Sequence, residues 1–170
     1  VVATEPSFSD ELVTRCIVAA EQQRMRVVIV LNKSDLADRM DTARRLLDPF
    51  RALGYPVVEL SARRDAAALR PPLAGQCSVL VGQSGMGKST LINTLLPLAQ
   101  AQAAVREISE ALDSGKHTTT HARLYRLDKD TSLIDSPGMQ EFGLSHLSRE
   151  EIEQGFREFQ PHLDKCRFRD

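Results

Sequence analysis

Gly82-Gln83-Ser84-Gly85-Met86-Gly87-Lys88-Ser89 has the spacing G-x-x-x-x-G-K-S, with Thr90 following. Glycines at these positions let backbone N–H groups curl toward phosphate oxygens. A helix that begins at the end of such a loop adds favourable partial charge. Lys88 supplies a cation to the phosphates, and the Ser89 hydroxyl is a Mg²⁺ ligand in this chemistry. A ligand-free glycine turn is the bland alternative, but chance would give this pattern in under about 1% of chains this long.

A phosphate loop does not choose between ATP and GTP. Asn32-Lys33-Ser34-Asp35 does, because an Asp at the last position can accept from both N1–H and N2–H₂ of guanine. Adenine lacks that pattern and would leave the carboxylate unpaired. The Lys33 stem can pack over the base, and Asn32 can tie neighbouring loops together. Ser61-Ala62, at the end of the next strand, is too short to weigh alone; a small residue there lets a backbone N–H approach guanine O6. Asp135-Ser136-Pro137-Gly138 fits D-x-x-G, with Asp135 toward Mg²⁺ through water and the Gly138 N–H toward the γ-phosphate. Within Gly115-Lys116-His117-Thr118-Thr119-Thr120-His121, a threonine can complete the Mg²⁺ shell; Thr119 is the choice, with three threonines also readable as plain β-propensity.

Met139 follows Gly138 where small GTPases often carry a water-orienting Gln, and Gln140 is one place further on. Intrinsic hydrolysis is therefore expected to be slow. His117 is the catalytic candidate, able to orient water, with a solvated loop histidine as the equal alternative.

The elements that must position these groups alternate. Ser9 or Asp10 caps a helix over Glu11–Gln23. Val27–Leu31 reads as a strand buried on both faces, followed by a helix through Ala43 to Leu53 and a strand at Val57–Leu60. A charged, alanine-rich connection leads through Pro71-Pro72 to another buried strand, Cys77–Val81, and a helix through Leu96. Residues 97–117 have no clean period and read as a long, partly mobile loop. His121–Leu127 reads as a half-exposed strand, Thr131–Ile134 as a short buried one, and Ser148–Phe159 as an amphipathic helix. The fold class is α/β: a mostly parallel sheet flanked by helices, of the P-loop GTPase kind and circularly permuted, since the base-reading loops precede the phosphate loop. Permutation leaves the packing intact and wires the D-x-x-G switch directly to the C-terminal segment.

Composition is compatible with this and narrows it. At 170 residues and 42% hydrophobic the chain can bury one sizeable core, and a net charge of −1 gives no strongly basic field for nonspecific polyanion binding. No apolar run approaches the length needed to span a bilayer, and the first residues do not read as the basic-then-apolar pattern expected of a signal peptide. Three dispersed cysteines suit a reducing, cytoplasmic setting better than a disulfide framework.

The permuted motif order resembles the RsgA/YjeQ family, as do Gly82-Gln83-Ser84-Gly85, Gly115 to Thr120, and Asp135-Ser136-Pro137-Gly138 through Glu141-Phe142-Gly143-Leu144. That resemblance implies a monomeric GTPase using GTP/GDP and Mg²⁺. Its partners would be the small ribosomal subunit and its rRNA, which stimulate hydrolysis late in subunit maturation, with His117 at the family's proposed catalytic position. It also implies an N-terminal OB-fold ahead of this segment and a zinc domain after it. Cys166 is the first zinc ligand there, and the site is incomplete within residues 146–170. Residues 1–145 are then the GTPase domain, and 146–170 the start of the C-terminal region. A second function class is a nucleotide-gated binding module with negligible turnover by itself; a third is an ATP-using P-loop enzyme.

Overall fold

The architecture was obtained as a computed structural model that describes residues 1–97, 122–136, 142–163 and 165. Ser9 caps the first helix, α1 (Asp10–Gln22), by accepting from the Leu12 N–H at 3.2 Å, while Asp10 and Glu11 place negative charge in its first turn. The cap is thus Ser9. A strand of two residues, β1 (Val2–Ala3), precedes α1, and β2 (Ile29–Asn32) follows it. After a 3₁₀ turn at Ala37–Arg39 comes α2 (Met40–Ala52), which buries Met40, Ala43, Leu47 and Phe50, one stripe at helical spacing. Then come β3 (Val57–Glu59), α3 (Arg70–Leu73), β4 (Cys77–Leu80), α4 (Lys88–Leu95), β5 (Arg123–Arg126), β6 (Ser132–Asp135) and α5 (Arg149–Gly155).

The strands form two three-stranded sheets, β1-β2-β3 and β4-β6-β5. Every pair is parallel except β5–β6, so the expectation of a mostly parallel sheet holds. The sheets meet where the Val1 amine donates to the Val81 carbonyl at 2.6 Å and Gly82 lies against the Val1 carbonyl, too close for a Cβ. Side-chain alternation along β2 sends Ile29 and Leu31 into a core shared with α1 and α2, and Val30 into a second core shared with α3 and α4. The first sheet is therefore covered on both faces, while the β4-β6-β5 sheet packs its buried residues into the second core alone.

Several boundaries differ from the sequence reading. The strand expected over Val27–Leu31 begins at Ile29 and runs through Asn32. The alanine-rich connection hides a 3₁₀ turn at Ala67–Leu69 and α3, for which Pro71 and Pro72 serve as helix-starting residues. The C-terminal helix, expected to reach Phe159, ends at Gly155, although its capping box of Ser148 and Glu151 forms as its sequence allows. Beyond it, Arg157 bonds Glu21 at 2.9 Å and lies 4.0 Å over the Tyr55 ring, fastening the C-terminal segment to α1. The largest correction is β4. Expected to be buried, it leaves Cys77 exposed and Val79 41% exposed, because its edge opposite β6 has no strand alongside among the described residues. The strand expected at Thr131–Ile134 is Ser132–Asp135, alternating between partly and fully buried.

Candidate functional site: a nucleotide cavity at the strand ends

The carboxyl ends of β2, β4 and β6 and the turn after β3 open onto one cavity of about 540 Å³. This is where ligands bind in open α/β sheets. Asn32, Lys33 and Asp35 form one wall with Ser61 and Ala62; Gln83 to Gly85 and Gly87 to Thr90 form the facing wall, and Asp135 lies between. Two sequence motifs about 50 residues apart are thus brought to one place.

Asn32 organises the base side. It is 2% exposed; its amide donates to the Met86 carbonyl at 2.9 Å, and its Oδ1 accepts from the Ala62 N–H at 2.9 Å. One side chain therefore joins all three loops, as its motif position suggested. Gly87, at φ +89°, passes so close to the Asn32 amide that a Cβ would collide with it, so glycine is required there on both counts. The Thr94 hydroxyl donates to the Ala62 carbonyl at 2.6 Å and fixes the same turn from α4.

Lys33 also has positive φ, +61°, and its ammonium donates to the carbonyls of Glu5 at 2.6 Å and Gly85 at 2.8 Å. The Lys33 stem is thereby held along the cavity wall. Asp35 is partly exposed rather than buried. Its carboxyl is held below the ordinary carboxylate range, first by the Ser61 hydroxyl, then by its own backbone N–H, with Arg64 and Arg63 adding to the effect against a desolvation penalty. The Ser61 Oγ is buried without a hydrogen-bond partner of normal geometry, so its influence on Asp35 is that of a nearby, free dipole.

The phosphate side is built differently. Lys88 is only 8% exposed and donates to the carbonyls of Gly82 at 2.6 Å and Gln83 at 3.3 Å. Burial lowers its pKa, and Asp135 partly offsets this. Asp135 is 4% exposed, with Oδ1 buried and unpartnered; burial raises its pKa, and Lys88 opposes the rise. Such an orphaned acceptor beside a buried cation fits a divalent ion carried with a phosphate chain. The end of β6 is pinned by Ser136, whose hydroxyl donates to the Leu80 carbonyl at 2.6 Å. Met86, named with the loop, has its side chain in the α1–α2 core and meets the site through its carbonyl. Gly82 lies behind the cavity, beneath Lys88.

His117, Thr119, Gly138 and Cys166 lie outside the described residues, as do Met139 and Gln140. Glu5, Leu36 and Arg63 line the cavity without having been singled out by sequence. Arg63 directly follows Ser61-Ala62, which was its one available signal; Glu5 had none. Among the described residues no helix is long and apolar enough to cross a membrane.

The chain is similar to proteins whose names describe GTPases. The small ribosomal subunit biogenesis GTPase RsgA of Nitrosospira multiformis is 56% identical over 168 residues, 99% of this chain and 53% of its own. That of Bordetella pertussis is 56% identical over 172 residues, 99% and 57% of the two chains. The crystal structure of YjeQ from Thermotoga maritima superposes with a TM-score of 0.74 at 28% identity, covering 99% of this chain and 56% of that one. YloQ, described as a circularly permuted GTPase, gives 0.70 at 22% identity, over 99% and 54%, a likeness of fold. This chain spans about half the length of the curated relatives it matches. Its fold is the circularly permuted GTPase fold, and the RsgA GTPase model matches residues 1–145. By motif order, site geometry and this match, the chain belongs to the RsgA GTPase family.

Proposed function

We propose that this chain binds GTP and GDP with Mg²⁺ and hydrolyses GTP, as the nucleotide-binding part of a cytoplasmic factor acting on the small ribosomal subunit and its rRNA. The observation that carries this reading is the single cavity on which Asp35 and the Ser61–Ala62 turn face Lys88 and the glycine loop. Family membership supports it, as does the name of the relatives. Residues 1–145 form the GTPase unit in this reading, and 146–170 begin a C-terminal region.

Asp35 accepts from guanine N1–H and N2–H₂, and its lowered pKa keeps it an acceptor over the whole physiological range. Lys33 covers the base with its stem, while Asn32 holds the loops in register. The N–H of Ala62 is committed to Asn32, so that contact fixes the floor of the base site. Backbone N–H groups from Gln83 to Ser89 surround the β-phosphate, and Lys88 turns from the Gly82 and Gln83 carbonyls to the β- and γ-phosphates. Ser89, Thr119 and Asp135 would hold Mg²⁺, which when bound would neutralise charge developing on the phosphate chain. Thr90 closes the α-phosphate end, the Gly138 N–H meets the γ-phosphate, and His117 orients the attacking water. Cys166 is assigned to a zinc site completed by ligands beyond this segment.

Phosphate release measured with and without small ribosomal subunits tests this. Stimulation at least about tenfold, reduced by His117→Ala without loss of GTP affinity, is expected. Turnover indifferent to subunits, or to His117→Ala, contradicts the corresponding assignment.

A further inference from the structure

Ala62 stands at the base end of the cavity, where the turn after β3 offers its backbone to a purine. The carbonyls of that turn are already engaged. Leu60 accepts from the Ser34 N–H at 3.1 Å, and Ser61 accepts from the N–H groups of Arg64 and Asp65, each at 2.9 Å. Ala62 accepts from the Thr94 hydroxyl at 2.6 Å. The first two carbonyls are held by backbone groups that almost any residue supplies. The third depends on one side chain, and it comes from α4, the helix that begins at the phosphate loop.

Thr94 does not line the cavity, so its bond draws the Ala62 carbonyl toward a group outside it. The same hydroxyl lies 2.9 Å from the Thr90 carbonyl, the usual partner of a helical threonine one turn back. Of the two contacts, the one to Ala62 is the shorter. In a planar trans peptide the N–H points opposite to the C=O. Holding the Ala62 carbonyl toward α4 therefore sends the Arg63 N–H the other way. Arg63 lines the cavity, and among the described residues its N–H has no hydrogen-bond partner.

Position 6 is where the two purines differ in sign. Guanine carries an oxygen there, an acceptor, and adenine an amino group, a donor. A turn that offers an N–H and withholds its carbonyls suits the first and leaves the second unpaired. Rotation of the Ala62–Arg63 peptide would supply the missing acceptor.

We propose that Thr94 is a specificity-determining residue of the base site, whose hydroxyl holds the Ala62–Arg63 peptide with its donor toward position 6 of the purine and its acceptor away. Thr94 touches no nucleotide; it is a positioning residue that acts through this peptide. It complements Asp35, which meets positions 1 and 2, and the inference rests on the guanine reading of the same site. Thr94 is exposed and belongs to neither core, so its replacement leaves the packing intact.

The test is calorimetry with four nucleoside diphosphates and Mg²⁺ on the chain, Thr94→Val and Thr94→Ser, with thermal melting to show that each is folded. GDP and ADP report the guanine reading. The diphosphates of 2-aminopurine riboside and 2,6-diaminopurine riboside report position 6 alone, because they differ only by the 6-amino group. The unaltered chain is expected to bind the diaminopurine nucleotide no better than the aminopurine one. In Thr94→Val this ratio should move at least about tenfold toward the diaminopurine nucleotide, and the preference for GDP over ADP should fall by a similar factor. Thr94→Ser keeps the hydroxyl and should retain both ratios. Unchanged ratios in Thr94→Val overturn the proposal, as does an equal loss of affinity for all four nucleotides or the same shift in Thr94→Ser. Equal binding of GDP and ADP by the unaltered chain would contradict the guanine reading and the proposal with it, whereas a GDP preference untouched by Thr94→Val overturns this proposal alone.

Discussion

Asn32 and Asp135 lie on the same cavity and are buried alike, at 2% and 4% exposure, yet their surroundings are opposite. Asn32 has both ends of its amide bonded and so ties the base loop to the phosphate loop and to the Ser61–Ala62 turn. Asp135 has an oxygen with no partner, and burial pushes its carboxyl toward the neutral form. On the base side the one buried atom without a partner is the neutral Ser61 hydroxyl, whereas the phosphate side holds two desolvated charges, Lys88 and Asp135. In the proposed reading, the loops that meet the base are tied together in the resting fold, and the electrostatic stress falls on the groups assigned to the ion and phosphates.

This contrast can be broken at several points. Lys88→Ala should lose the most affinity, about 100-fold for GTP, since charge-assisted bonds to phosphate contribute about 3 kcal/mol. The melting temperature should change little, because Lys88 bonds only loop carbonyls in the resting fold. Asn32→Ala strikes the base side and should instead reduce stability, by about 2–3 kcal/mol, leaving the Ala62 N–H and Met86 carbonyl buried and unpaired. Denaturant titration reads that loss; an unchanged midpoint would mean that the loops are held by something else. Asp35→Asn should leave the fold intact, weaken guanine nucleotides by about 2 kcal/mol and improve binding of xanthosine nucleotides, as competition assays would show.

The smallest effect is the most diagnostic. Asp135→Asn should raise the ligand-free stability by about 1 kcal/mol, roughly 2–4 °C at this chain length, while abolishing the Mg²⁺ dependence of binding. The same logic fixes the pH response. The folded pKa of Asp135 lies above its unfolded value, so the folded state takes up a proton more readily and this group's destabilising effect disappears as pH falls through the raised pKa. Asp35 has the opposite sign: its lowered pKa gives a contribution present at neutral pH and lost only below the ordinary carboxylate range. Mild acid should therefore weaken Mg²⁺-dependent binding before it weakens guanine selectivity. Loss of both together at one pH would erase the distinction.

Much of the site was legible because its chemistry is carried by short contiguous motifs. Gly87-Lys88-Ser89 and Asn32 to Asp35 specify their own local geometry, and their meeting follows from the strand-end rule. Ser9, one of two cap candidates, announced the first helix start through its local hydrogen bond. What escaped reading depends on contacts through space. Glu5 reaches the cavity wall only because Lys33 draws its carbonyl in, and α3 is masked by a Pro-Pro pair that marks a turn as readily as a helix start. α5 stops at Gly155, where it lies against Val18 of α1, short of the end its apolar periodicity suggested. β4 has the composition of a buried strand, but burial is decided by what lies beside it.

The most direct measurement is calorimetric titration of the 170-residue chain with GDP and ADP, with and without Mg²⁺. A preassembled base side with an ion-dependent phosphate side predicts GDP favoured over ADP by about 100-fold or more in both conditions, with Mg²⁺ raising the affinity but not creating the preference. Equal affinities for GDP and ADP, or a preference that exists only when Mg²⁺ is present, would contradict it.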